Sequence, residues 1–159
     1  MSEKHITTAV LGRRQVLKGA GLGALAVVGA GLSAKDAFAT PETAAAYLDK
    51  MVGSGGSEGK INLKLPEIAE NGATVPITVS VDSPMSADSY VKTIHLVAEG
   101  NPNPELISFN MSPGLGKAEI STRVRLGKTQ FIRAAAVMSD GSVHTGSKEI
   151  KVTIGGCGG

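Results

Sequence analysis

The chain has 159 residues, with 16 Lys and Arg against 14 Asp and Glu, a formal charge of +2, and only 3% aromatic side chains with no Trp. There is no basic face with interleaved aromatics, so nothing favours a nucleic-acid partner and none is expected. A single cysteine excludes an internal disulfide, a paired-cysteine zinc site and C-x-x-C-H haem attachment.

Residues 1–39 have the form of an export signal of the twin-arginine type. Arg13 and Arg14 precede a Gly- and Ala-rich run from Gly19 to about Leu32, and Ala37-Phe38-Ala39 supplies a small-x-small cleavage pattern. The run is too short and glycine-rich to span a bilayer comfortably. Cleavage after Ala39 removes five of the basic residues and two of the acidic ones. The mature chain then carries 11 against 12, so the apparent basicity belongs to the signal. Such signals mark proteins exported already folded, so folded export is expected.

The remaining 120 residues suit one domain. Thr40 and Pro41 are an N-cap and a first helical residue for a short helix ending near Val52, expected as an appendage. Gly53 to Gly59 has a flexible linker composition, so 40–59 is assigned as helix and linker. From Lys60 the period is two. Ile61, Leu63 and Leu65 alternate with polar residues, and Asn71-Gly72 is a turn signal. Val75, Ile77, Val79 and Val81 form the next strand, where Pro76 implies an edge position or a strand beginning. Tyr90 to Ala98 and Glu105 to Met111 follow, separated by the loop Gly100-Asn101-Pro102-Asn103-Pro104. Ala118 to Leu126 alternates again, Gly127-Lys128 turns the chain into Thr129 to Met138, and Ser139-Asp140-Gly141 is a hairpin turn. Two last strands, Ser142 to Thr145 and Lys148 to Ile154, bring the total to seven or eight. The pattern predicts an all-β, immunoglobulin-like antiparallel sandwich over 60–154.

Few side chains outside the terminus offer chemistry. His95 and His144, the only histidines after the signal, lack metal-ligand spacing and read as ordinary strand residues. Arg123 and Arg125 share one strand face, either as a solvated surface or as a contact for an anion or partner. No Ser-His-Asp set, carboxylate pair or phosphate loop can be placed, so an enzyme acting alone is poorly supported.

The chain ends in Gly155-Gly156-Cys157-Gly158-Gly159. Glycine populates every backbone region, so this segment is expected to behave as a flexible arm carrying one unobstructed thiol. Its extended reach is roughly 16 Å. Prenylation is excluded because the cysteine is third from the end rather than fourth. An idle thiol, a thiol that only forms an intermolecular disulfide and a covalent carrier thiol all fit the residue types. The symmetrical glycines favour the carrier.

These features together resemble the Y subunit of the sulfur-oxidising (Sox) carrier, the SoxY family. Besides the signal and the tail, three stretches are similar to that family: Glu70-Asn71-Gly72-Ala73-Thr74-Val75-Pro76, Asn101-Pro102-Asn103-Pro104-Glu105, and Ser139-Asp140-Gly141 with Lys148-Glu149-Ile150-Lys151-Val152-Thr153-Ile154. The resemblance implies a periplasmic carrier with no metal or organic cofactor of its own. It implies that Cys157 is joined to thiosulfate by the c-type cytochrome complex SoxXA and that the hydrolase SoxB releases sulfate. The remaining sulfane sulfur is then oxidised, for instance by a sulfane dehydrogenase, or passed on. It further implies a heterodimer with SoxZ, whose lack of a signal agrees with folded, partner-bound export. A free thiol is only a few per cent thiolate near neutrality, so partner pockets would supply the activation.

Overall fold

Thr40 and Thr43 set where the first element begins. The Thr40 hydroxyl accepts from the Thr43 amide (3.3 Å) while the Thr43 hydroxyl accepts from the Thr40 amide (2.7 Å), a reciprocal capping box with Pro41 at the first helical position. Helix α1 therefore spans Pro41–Val52, as the sequence predicts, and ends at Gly53 with φ +82°. In this computed structural model the described residues are 38–53 and 55–156. The twin-arginine segment, the first residue of the cleavage pattern, and Cys157, Gly158 and Gly159 lie outside them. Among the described residues no helix is long and apolar enough to cross a membrane.

Nine strands follow: β1 (Ser57–Glu58), β2 (Ile61–Lys64), β3 (Ile68–Asn71), β4 (Val75–Val81), β5 (Val91–Ala98), β6 (Glu105–Asn110), β7 (Ala118–Val124), β8 (Gln130–Met138) and β9 (Val143–Ile154), with a 3-10 turn at Pro113–Leu115. They make an all-β sandwich. The larger sheet has the order β1-β9-β8-β5-β6 with β3 also on β9, and the smaller is β2-β4-β7. Most pairings are antiparallel. β1 and β3, however, run parallel to β9, along its two halves.

Alternation decides which side chains meet between the sheets. Val75, Ile77, Val79 and Val81 of β4 are buried, and so are Ile94, Leu96, Ile132, Ala134 and Ile150 from the facing sheet. Pro76 marks a strand beginning. β4 is the central strand of its sheet, but β2 pairs with it only from Thr78 to Val81, so Pro76 has a neighbour on one side alone and no ladder bond is lost.

Four expectations change. The helix is no appendage. Ala44 and Leu48, one turn apart, pack on Val97 and Ala135, adding a layer on the outer face of the larger sheet. That cover explains why β5 is buried on both faces from Ile94 to Ala98. Within the segment assigned as linker, Ser57 and Glu58 pair with His144 and Thr145 as β1. Asn71-Gly72 does not close a hairpin, because β3 precedes it in the other sheet, so this turn carries the chain from one sheet to the other. The two last strands are one, twelve residues long. Gly146 falls in its middle because the β2 residue Ile61 approaches there, and an added Cβ would meet the Ile61 Cβ at 3.2 Å.

Candidate functional site at the glycine end of the chain

β9 delivers the chain end to the body through backbone hydrogen bonds. The Gly72 amide donates to the Ile154 carbonyl (2.7 Å), the Leu126 amide donates to the Gly72 carbonyl (2.8 Å), and the Gly156 amide donates to the Leu126 carbonyl (2.8 Å). Gly72, buried in the turn after β3, thus bridges the end of β9 to the segment following β7, and Gly156 closes back onto that segment. The turn itself is shaped by Asn71, whose side-chain oxygen accepts from the Ala73 amide at 2.8 Å.

The backbones here approach so closely that no side chain fits. A Cβ at Gly155 would fall on the Gly127 carbonyl oxygen. One at Gly156 would fall on the Ala73 backbone, and one at Gly72 on the Leu126 carbonyl oxygen. Gly155 and Gly156, expected as the first links of a flexible arm, are instead seated against two turns. Cys157, with Gly158 and Gly159, comes directly after this seat.

A buried polar pair holds the receiving segment in place. Asn101 donates to the Arg125 carbonyl (2.8 Å), and its side-chain oxygen accepts from the Gly127 amide (2.9 Å) and from Gln130 Nε2 (3.0 Å). Gln130 in turn accepts from the Gly100 amide at 2.7 Å. Both side chains are buried, so each bond replaces water that cannot enter. In the sequence Asn101 belongs to a loop that is also one of the family-like stretches, and Gln130 is not singled out. A polar residue on the inward side of β8 is the one signal that could have found the second.

The other candidates lie apart from the chain end. His95 is buried on the outer face of β5, with Nδ1 2.7 Å from the Ser108 hydroxyl. Burial pushes its pKa down, partly countered by the Glu105 carboxylate. Glu105 also accepts from the Tyr47 hydroxyl (2.6 Å), which ties α1 to β6 and raises the Tyr47 pKa. His144 Nδ1 is 3.2 Å from the Ser57 hydroxyl. Both histidines lie on strands, and among the described residues no group of three His, Cys, Asp or Glu side chains could hold a metal ion. Arg123 and Arg125 are exposed and line an open groove of about 390 Å³ with Asn101, Asn103 and Leu106. Sequence reasoning also missed buried Glu99, which accepts from Arg133 on the outer face beside α1.

The neutral form of His95 is the one the fold prefers, so its contribution to stability is full above the unfolded-state pKa of about 6.5 and is lost as pH falls toward the depressed folded value. Melting temperature should therefore drop as pH falls below about 6.5, and His95→Gln should flatten that drop. An unchanged slope in the variant would remove His95 as its cause.

The fold is a two-sheet sandwich whose last strand leads, through two seated glycines, to the single cysteine near the chain end. The family described as "Sulfur oxidation protein SoxY" matches residues 48–157, and the chain belongs to this family. It is similar to the sulfur carrier protein SoxY from Chlorobium limicola f thiosulfatophilum, with 33% identity and a TM-score of 0.58 over 69% of this chain and 96% of that one. It also resembles a superoxide reductase (neelaredoxin) from Ignicoccus hospitalis, at 23% identity and TM-score 0.53, over 73% of this chain and 95% of that one. A putative superoxide reductase from Thermotoga maritima matches at 17% identity and TM-score 0.51, over 62% and 87%. The likeness to the reductases is one of fold alone. No curated protein matches the chain.

Proposed function

We propose that this chain is a sulfur carrier that holds oxidation intermediates on Cys157 and presents them to partner enzymes. The observation that carries the reading is the position of the single cysteine, one residue past the seated Gly156, at the last residue matched in a SoxY-family chain. The similar Chlorobium limicola protein is named a sulfur carrier.

Loading forms one S–S bond. The Cys157 thiol and thiosulfate give a cysteine S-thiosulfonate, releasing one proton and two electrons, and the electrons pass to the c-type cytochrome complex SoxXA. Hydrolysis by SoxB then adds water across the bond between the sulfane sulfur and the sulfonate, releasing sulfate and leaving a cysteine persulfide. The persulfide is oxidised or passed on. The chain supplies a thiol and a docking body, and its partners supply the catalysis. The reading includes twin-arginine export to the periplasm with cleavage after Ala39, and a heterodimer with SoxZ.

Intact-mass spectrometry of the non-reduced mature protein tests it, before and after incubation with thiosulfate, the loading cytochrome and an electron acceptor. One thiosulfonate group should be gained and then lost on reduction. No adduct beside a demonstrably active loading enzyme would overturn the carrier reading and leave the tail as an element that docks through a disulfide.

A further inference from the structure

The turn at Asn71-Gly72 and the loop residue Asn101 converge on the chain end, and carriage of sulfur by a cysteine does not by itself require them there. Asn71-Gly72 makes the turn against which Ile154 and Gly156 are held, and Asn101 fastens the segment from Arg125 to Gly127 that receives Gly156. Three glycines at this junction, Gly72, Gly155 and Gly156, lie where a Cβ would collide with backbone, which cannot swing aside as a side-chain tip can. A merely mobile linker has no such demand at every position.

We propose that these glycines form a clasp that anchors the arm one residue before Cys157, with Gly72, Gly155 and Gly156 acting as positioning residues for transfer to partner enzymes. The proposal rests on the carrier reading. With the clasp shut, Cys157 begins a single Cα–Cα step, about 3.8 Å, from Gly156, rather than at the middle of a five-residue tether. A partner that takes the thiol must then come down onto the clasp itself, covering Ala73 and Gly127. The short tether concentrates the sulfur at a docked pocket. Opening the clasp lengthens the free segment from one residue to three, and effective concentration falls roughly as the −3/2 power of length, about fivefold.

Two measurements on the mature carrier in its native complex test the clasp, using Gly155→Ala and Gly156→Ala. Gly155→Ala lies past the last strand and leaves the sandwich core intact, and Gly72→Ala serves as a third variant where its melting curve shows a folded protein. In the wild type the residue-156 amide should exchange with solvent at least tenfold more slowly than in a free peptide, and in the variants at the free-peptide rate. Loading by the cytochrome should fall about fivefold in the variants, while reaction of Cys157 with a small disulfide reagent stays within twofold. That split separates lost positioning from a damaged thiol. Wild-type exchange at the free-peptide rate would overturn the proposal, as would variants that load as fast as wild type. Should wild type itself take no adduct, the carrier reading fails, and amide exchange alone decides the clasp.

Discussion

Protein carrying Cys157→Ser should take up no thiosulfonate while keeping its melting temperature and its partner subunit. The chain has one cysteine, so no second thiol can substitute. A serine hydroxyl has no sulfur with which to make the S–S bond and is hardly ionised at neutral pH, so the loss should be complete rather than partial. The fold should not register the change. Among the described residues the buried apolar side chains lie between Ala39 and Ile150. A change of stability within about 0.5 kcal/mol is expected. Intact mass, thermal melting and size-exclusion chromatography of the complex read the three quantities. Retained adduct would move the attachment site off Cys157. Loss of the partner subunit would show that the terminal residue also builds the interface, against the separation of carrier end from docking body.

The parts legible in the sequence were those where local chemistry and tertiary packing agree. β4 is the clearest case: four β-branched residues at period two, all buried as read. The helix likewise begins and ends at residues whose caps are local, Thr40 and Gly53. β3 left no trace because Ile68 is exposed and only Ala69 is buried, so the strand exists through parallel pairing with residues some 80 positions away. The pattern suggests separate strands up to Thr145 and from Lys148, yet Gly146 between them lies inside one continuous strand, since glycine also serves where another element comes near. The same ambiguity governed the tail. Gly155 and Gly156 signal freedom in isolation, and only the fold reveals that Gly127 and Ala73 stand where their side chains would be. The candidate carrier residue stands out in the sequence, because one cysteine among glycines needs no tertiary context. How the chain reaches it does not.

Asn101→Leu is expected to be the most damaging single change outside the core. The substitution is close in volume, so cavity formation contributes little, and the cost falls on what Asn101 leaves behind: the Arg125 carbonyl, the Gly127 amide and one Gln130 donor. An unsatisfied buried polar group costs about 1–3 kcal/mol. Gln130 keeps its bond to the Lys128 carbonyl (3.0 Å) and Gly127 is only half-buried, so some of the loss is recovered. A destabilisation of about 3 kcal/mol remains, or roughly 10 °C or more in melting temperature for a domain of this size. Asn103, two residues along in the same stretch, provides the contrast. It is exposed, with one long bond to the Glu105 amide (3.3 Å), so Asn103→Ala should cost under about 0.5 kcal/mol. The distinguishing readout is local. In Asn101→Leu the residue-156 amide should lose its protection at temperatures where the β5 and β8 amides are still protected, because the segment that receives Gly156 loosens before the sheets part. Equal effects of the two asparagines, or simultaneous loss of all three sets of amides, would mean that Asn101 supports the sandwich as a whole rather than the end from which Cys157 departs.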